Sequence, residues 1–355
     1  MGNCSTHTDN FDSTIGLTRS HFLFIYAIGK GGFGKVWKVQ QKPSKQLFAL
    51  KEMLKMRVIA KKSVASVMNE RRLLTTLKHG FLVNMHFAFQ DRENLYLGMD
   101  LLPGGDLRYH IARTKVFTEA QVRFFAAAIL TALEYVHSCH IIHRDLKPEN
   151  LVLDAQGYIH LTDFGIARIV RLENSQDTSG TPGYMAPEVI CRQNHGLVAD
   201  YFALGVIVFE LMLRRRPYVG RNRKEIRDSM LAKQVQIRPQ DLPSSWSSEA
   251  ADFCNRLIQR KPTNRLGYNG AQEVKSHPWL LSVDWTNVQN KTFPSPYVPP
   301  ASENFDSKVA GQEWKDDEVT MLAAAKQSAQ SLFEGYFYDE KLSTEGGESC
   351  KASVS

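Results

Sequence analysis

The chain lacks any apolar run long enough to cross a bilayer as a helix. Its N-terminus also lacks the apolar core of a secretory signal. Cysteines are scarce, with five in 355 residues: Cys4, Cys139, Cys191, Cys254 and Cys350. Their number is odd and no two stand at metal-ligand spacing, which argues against a disulfide scaffold or zinc site; free thiols in a reducing cytosol are the expectation. No internal repeat is present. Basic residues outnumber acidic ones by a net +7, but the only runs are Lys61-Lys62, Arg71-Arg72 and Arg214 to Arg216. A charged stripe for nucleic acid is therefore missing, and no nucleic-acid partner is expected. What remains is an ordinary globular composition, 43% hydrophobic and 23% charged, with room for two or three compact units.

Residues 1–21 are polar and small and read as a flexible leader. From Phe22 to about Met99, strand-like runs recur at Phe22–Ile28, Val36–Gln40, Leu47–Glu52 and Asn94–Met99. One helical stretch interrupts them, Ser63 to Leu77, with Val64, Val67, Met68, Leu74 and Leu77 at helical spacing. After the turn Pro103-Gly104-Gly105 the pattern becomes helical. Glu119 to His137 is rich in Ala, Leu and Phe, and Leu197 to Leu213 is almost wholly apolar, as a core helix is. The expectation is an α+β chain with a small β-rich lobe followed by a larger α-helical lobe. Residues 281–355 read as an extended tail, with four prolines between Phe293 and Pro300.

Gly29-Lys30-Gly31-Gly32-Phe33-Gly34-Lys35-Val36 has the form G-x-G-x-x-G-x-V. Glycines let a backbone approach phosphates closely. A dinucleotide fold uses the same glycines but needs a helix directly after them. Here Val36-Trp37-Lys38-Val39 alternates like a strand, so a loop lying over a nucleotide fits better. Lys51 ends the apolar run Phe48-Ala49-Leu50, where an ammonium can reach phosphates. Glu70, on the predicted helix, suits the carboxylate that must hold it.

His143-Arg144-Asp145-Leu146-Lys147-Pro148-Glu149-Asn150 is followed thirteen residues later by Asp163-Phe164-Gly165. Phosphoryl transfer needs a group to orient the nucleophile and take its proton, which suits Asp145. It also needs cations to neutralise the phosphoryl oxygens. Asn150 and Asp163 offer hard oxygen ligands for Mg²⁺, and Lys147 can bind the moving phosphate.

These motifs, together with Ala186-Pro187-Glu188, resemble those of the eukaryotic protein kinases, in the same order, over about residues 22 to 280. The resemblance implies a two-lobed fold, lobes 22–101 and 102–280, with ATP in the cleft and Mg²⁺ as cofactor. It makes Asp100, Leu101 and Leu102 the hinge and Met99 the gatekeeper. Val36, Ala49, Val152 and Thr162 would line the adenine site; Asp106 would reach the ribose, and Glu149 belongs to the same nucleotide-binding set. Leu74, Met85, His143 and Phe164 match the hydrophobic spine, Glu188 would pair with Arg265, and Asp200 would anchor the catalytic loop. Thr181 would bond that loop and favour serine or threonine as acceptor. An intact Lys51, Asp145, Asn150 and Asp163 argue against a nucleotide-binding pseudokinase scaffold, the alternative reading.

The tail, 281–340, resembles that of the AGC group, the relatives of cyclic-nucleotide-dependent kinases. Asn304-Phe305-Asp306 would touch the nucleotide, and Phe333-Glu334-Gly335-Tyr336-Phe337-Tyr338 would dock beside the small lobe's helix. Phe337 stands where many members carry a phosphorylated Ser or Thr, so that switch looks absent. Residues 341–355 are expected to be a disordered end. Gly104-Gly105-Asp106-Leu107-Arg108-Tyr109-His110 and Tyr184–Glu188 further resemble the YANK-like subgroup.

Arg144 and Arg168 would form a basic pocket in the activation segment. Two candidates can fill it: Asp177, or Thr178 or Ser179 phosphorylated by an upstream kinase. Asp106, Glu149 and Glu210 fall where AGC kinases hold acids for substrate arginines, which implies protein substrates with basic residues near the phosphoacceptor. Met1-Gly2-Asn3-Cys4-Ser5-Thr6 fits the myristoylation pattern, with Cys4 placed for palmitate as a second anchor. A monomer in the cytoplasm, associated through these lipids with the cytosolic face of a membrane, is the expected setting.

Overall fold

A computed structural model describes residues 16–114, 116–301, 304–305 and 330–343. They divide into two compact units, one from residues 16–64, 85–101 and 330–343, the other from 65–84, 102–301 and 304–305.

In the first unit Phe22–Lys30 (β1), Gly34–Gln41 (β2) and Leu47–Leu54 (β3) form an antiparallel meander. After the helix Lys55–Ala60 (α1) come Met85–Gln90 (β4) and Asn94–Met99 (β5). The sheet runs β1-β2-β3-β5-β4 and ends in a two-residue strand, Tyr338–Asp339, from the tail. Alternation along the strands turns Phe22, Phe48, Leu50, Phe87, Phe89 and Tyr96 into one hydrophobic core rich in aromatic rings. Phe89 and Tyr96 stack with centroids 4.6 Å apart. Gly98 faces Phe87 across the β4–β5 pair, and a Cβ there would stand 2.1 Å from the Phe87 ring.

Two helices follow β3, not the single one expected from the hydrophobic pattern. Lys55–Ala60 ends at Lys61-Lys62, where Lys62 takes a positive φ of 52°; Val64–Thr76 (α2) then begins afresh.

The tail closes the sheet edge. Tyr338 pairs with Ala88 and Asp339 with Phe87, and the rings of Phe333 and Tyr336 are fully buried. Buried Lys55 donates to Asp91 O and Gln330 Oε1, both at 2.6 Å. Gln90 Nε2 donates to Phe333 O at 2.9 Å. His86 lies 2.7 Å from Asp100 Oδ1 and 2.8 Å from Glu340 Oε2; its bond to Asp100 raises its pKa above the ordinary histidine value, against the pull of burial. A disordered end was expected from 341; residues Glu340–Ser343 form a helical turn, and 344–355 lie outside the described residues.

The second unit is helical. Besides α2 it holds Leu107–Arg113 (α3), Glu119–Ser138 (α4), Pro187–Ile190 (α5), Val198–Leu213 (α6), Arg223–Ala232 (α7), Ser248–Leu257 (α8), Ala271–Lys275 (α9) and Trp285–Gln289 (α10). Two small antiparallel pairs carry the loops between α4 and α5: Ile141–Ile142 (β6) with Arg168–Ile169 (β9), and Leu151–Leu153 (β7) with Ile159–Leu161 (β8). Thr118 caps α4 in a capping box with Gln121. α6 is buried along its length because it is apolar on every side. At Gly205 it meets α8 closely; a Cβ there would lie 2.6 Å from Leu257 Cβ. The tail lies against this unit too, with Tyr297 packed on Phe117 and Phe125 and its hydroxyl 2.7 Å from His110 Nδ1. Among the described residues no helix is long and apolar enough to cross a membrane.

Candidate active site

The first unit contains the glycine loop and the strand that carries Lys51. Gly31 N–H donates to Gly34 O at 2.8 Å, closing the β1–β2 turn. A Cβ on Gly34 would fall 1.8 Å from Glu52 O, so only glycine lets β2 run this close to β3. Register then places Val36 opposite Lys51, and Ala49 opposite Met99. Lys61, which the sequence marked only as half of a basic pair, donates to Gly32 O at 2.7 Å and lies over the Phe33 ring. It fixes the loop from outside the motif.

Within the second unit, a knot of hydrogen bonds surrounds Asp145. Asp145 Oδ2 accepts from Lys147 Nζ at 2.6 Å and from Asn150 Nδ2 at 3.2 Å. Asp145 Oδ1 accepts from Thr181 Oγ1 at 2.7 Å and from Thr181 N–H at 3.1 Å. Lys147 Nζ also reaches Thr181 Oγ1 at 3.0 Å. Three residues, Lys147, Asn150 and Thr181, therefore converge on one carboxylate.

Asp200, buried in the first turn of α6, holds the loop that carries it. It accepts from the backbone N–H of His143 and Arg144 at 2.8 and 2.9 Å, and from His137 Nε2 at 2.9 Å. Burial alone would raise its pKa, but the bond and charge of His137 together with the charge and backbone N–H of His143 outweigh it and hold the carboxyl below the usual range. Arg144 and Asp163 both take left-handed φ, 69° and 66°, a strain typical of functional turns.

Thr162 N–H donates to Asn150 O at 3.0 Å, bringing the Asp163 turn alongside Asn150. His143 stacks edge-on against buried Phe164 at 5.1 Å and its Nε2 bonds Thr162 O. Glu70 is buried on α2, and a Cβ on Gly165 would lie 3.8 Å from its Oε2 and 3.2 Å from Asp163 Oδ1. Asn150 and Asp163 make a pair of hard oxygen donors. Among the described residues no cluster of three His, Cys, Asp or Glu fits a metal. Two protein donors with the other positions left to water and phosphate is the pattern Mg²⁺ takes, so the set fits it.

Asp106 caps α3, accepting from Tyr109 N–H at 2.8 Å, and burial raises its pKa. It bridges Val152 through the backbone. Leu102 is half-buried. Asn304 donates to Pro103 O at 3.1 Å, and Gly105, at φ 75°, leaves room for its backbone; Asp306 lies outside the described residues. Glu149 and Glu210 are both ion-paired to Arg108, at 2.9 Å each, a partner the sequence did not suggest. Asp177 Oδ2 lies 3.4 Å from Arg144 Nη1.

Residues 22–280 match the family model described as protein kinase domain. The chain is 37% identical over 326 residues to a probable serine/threonine-protein kinase of Dictyostelium discoideum, covering 90% of this chain and 70% of that protein. It is 36% identical over 335 residues to serine/threonine-protein kinase Sgk1 of Homo sapiens, covering 90% and 76%. Against serine/threonine-protein kinase sgk-1 of Caenorhabditis elegans it is 36% identical over 315 residues, covering 87% and 67%.

Proposed function

The chain belongs to the protein kinase family, as a serine/threonine kinase of the AGC group that uses ATP and Mg²⁺, and from that premise we propose how its residues divide the work. The observation that carries the proposal is the convergence of Lys147, Asn150 and Thr181 on the Asp145 carboxylate. Asp145 orients the acceptor hydroxyl and takes its proton. Lys147 meets the moving phosphoryl group, and Thr181 fixes the carboxylate's rotamer. The glycine loop and Lys51 bind phosphates, with Glu70 as the carboxylate partner that orders the lysine. Asn150 and Asp163 would hold Mg²⁺, which when bound neutralises phosphate charge. Labelled ATP, magnesium and a basic serine peptide test this reading; no label on any polypeptide at saturating nucleotide and metal overturns it.

The substrates are proteins. Asp106, Glu149 and Glu210 support a preference for basic residues near the phosphoacceptor. The run Gly104–His110 supports a place near the YANK-like subgroup.

Activation is proposed to need no phosphate in the activation segment. Asp177 offers a permanent anion to Arg144, whose side chain is 3% exposed. Burial lowers the Arg144 pKa, and the Asp177 charge opposes that while the nearby Arg168 adds to it. Asp177→Ala is expected to lower kcat by about threefold to tenfold, while Thr178→Ala and Ser179→Ala retain wild-type rates. If instead Thr178→Ala or Ser179→Ala abolishes activity, an upstream kinase supplies the anion.

The first six residues lie outside the described residues. Their pattern supports myristoylation at Gly2 and palmitoylation at Cys4, hence residence at the cytosolic face of a membrane. Intact mass of the protein made in eukaryotic cells is expected to show an acylated Gly2; a free Gly2 amine contradicts this.

A further inference from the structure

We propose that Arg108 is a specificity-determining residue, an internal arginine occupying the acidic subsite that Glu149 and Glu210 would otherwise offer to a substrate's basic side chain. The inference rests on the reading of these acids as substrate-facing.

Arg108 lies in the first turn of α3. Its Nε donates to Glu149 Oε1 at 2.9 Å. Its two terminal nitrogens fork onto Glu210, Nη1 to Oε1 at 2.9 Å and Nη2 to Oε2 at 3.2 Å. Nη2 also donates to the Tyr184 hydroxyl, which itself donates to Glu210 Oε2 at 2.5 Å. All three guanidinium nitrogens are thus engaged, and the bidentate fork is the geometry by which a protein binds a peptide arginine.

Charge and exposure point the same way. Glu210 is 10% exposed at its side chain, against 44% for Glu149 and 32% for Arg108. A carboxylate as buried as Glu210 needs a cation. The chain supplies that cation itself, leaving one net negative charge where two bare carboxylates would carry two. A substrate arginine must displace a group that is tethered and pays no association entropy. Glu210 therefore contributes little to selection in the wild type. Asp106 and the remaining exposure of Glu149 give only a mild basic preference.

The test is a positional peptide array, with labelled ATP and magnesium, on the full chain and on Arg108→Leu and Arg108→Gln. The wild type is expected to favour arginine over alanine by no more than about threefold at each position upstream of the acceptor. Both variants are expected to gain at least about tenfold selection for arginine at one such position, read in KM more than in kcat. Adding Glu149→Gln to the Arg108→Leu chain should remove that gain. Unchanged selection in the variants overturns the assignment. If both variants fail to fold, the wild type decides: a strong arginine preference lost in Glu149→Gln overturns it, and a flat profile unaltered by Glu149→Gln supports it. Acidic or proline-directed selection in every form contradicts the substrate-facing reading instead, and absence of transfer in every form contradicts the kinase mechanism.

Discussion

Asp145→Asn is expected to lower kcat by about 10²- to 10⁴-fold, the usual worth of a positioned general base, while the KM for ATP stays within about threefold. Asn keeps the shape of the side chain, so Thr181 Oγ1, 2.7 Å from Oδ1, keeps an acceptor. The charge facing Lys147 Nζ at 2.6 Å is what disappears, along with the ability to take a proton from the acceptor hydroxyl. A loss in kcat with nucleotide binding retained is the signature of a group needed in the transition state. Steady-state kinetics with a peptide substrate, alongside a nucleotide-binding measurement, checks both halves. If kcat falls less than about fivefold, Asp145 is not the base.

Arg265→Met is expected to destabilise the protein by about 3–5 kcal/mol. Arg265 is 0% exposed at its side chain and Glu188 2%. The pair is bidentate, at 2.7 and 2.8 Å, and Arg265 also donates to Val198 O at 3.1 Å and Gln259 O at 3.0 Å. Removing the arginine leaves a buried carboxylate with no counter-charge, the costliest way to break such a pair. Glu188→Gln combined with Arg265→Met should cost less than the sum of the two single changes, because the stranded charge is gone. Denaturant titration followed by tryptophan fluorescence measures each. A single-variant loss below about 1 kcal/mol would mean that the pair is dispensable.

Much of this was legible in the residues, for physical reasons. The strands around Phe48 and Asn94 announce themselves as short apolar runs, and α6 by apolarity on every face. The catalytic loop is legible because its polar groups are compressed into eight residues, from His143 to Asn150. Other features were not. Lys55–Ala60 continues the apolar composition of β3, so no period separates strand from helix until Lys62 turns the chain. The tail strand Tyr338–Asp339 is two residues long and exists only because β4 offers an open edge. Arg108 looked like an ordinary member of a turn-to-helix run. Its partners lie 41 and 102 residues away, and no local pattern encodes a pairing at that distance. Lys61 is similar: its bond to Gly32 spans 29 residues and depends on where α1 ends.

The most direct measurement is transfer of the labelled terminal phosphate of ATP by the purified full chain, with magnesium, followed by acid hydrolysis of the labelled peptide and identification of the modified amino acid. The predicted result is phosphoserine or phosphothreonine from the wild type and almost none from Asp145→Asn. Equal labelling by the two proteins, or label found only on tyrosine, would contradict the assignment of Asp145 and Thr181.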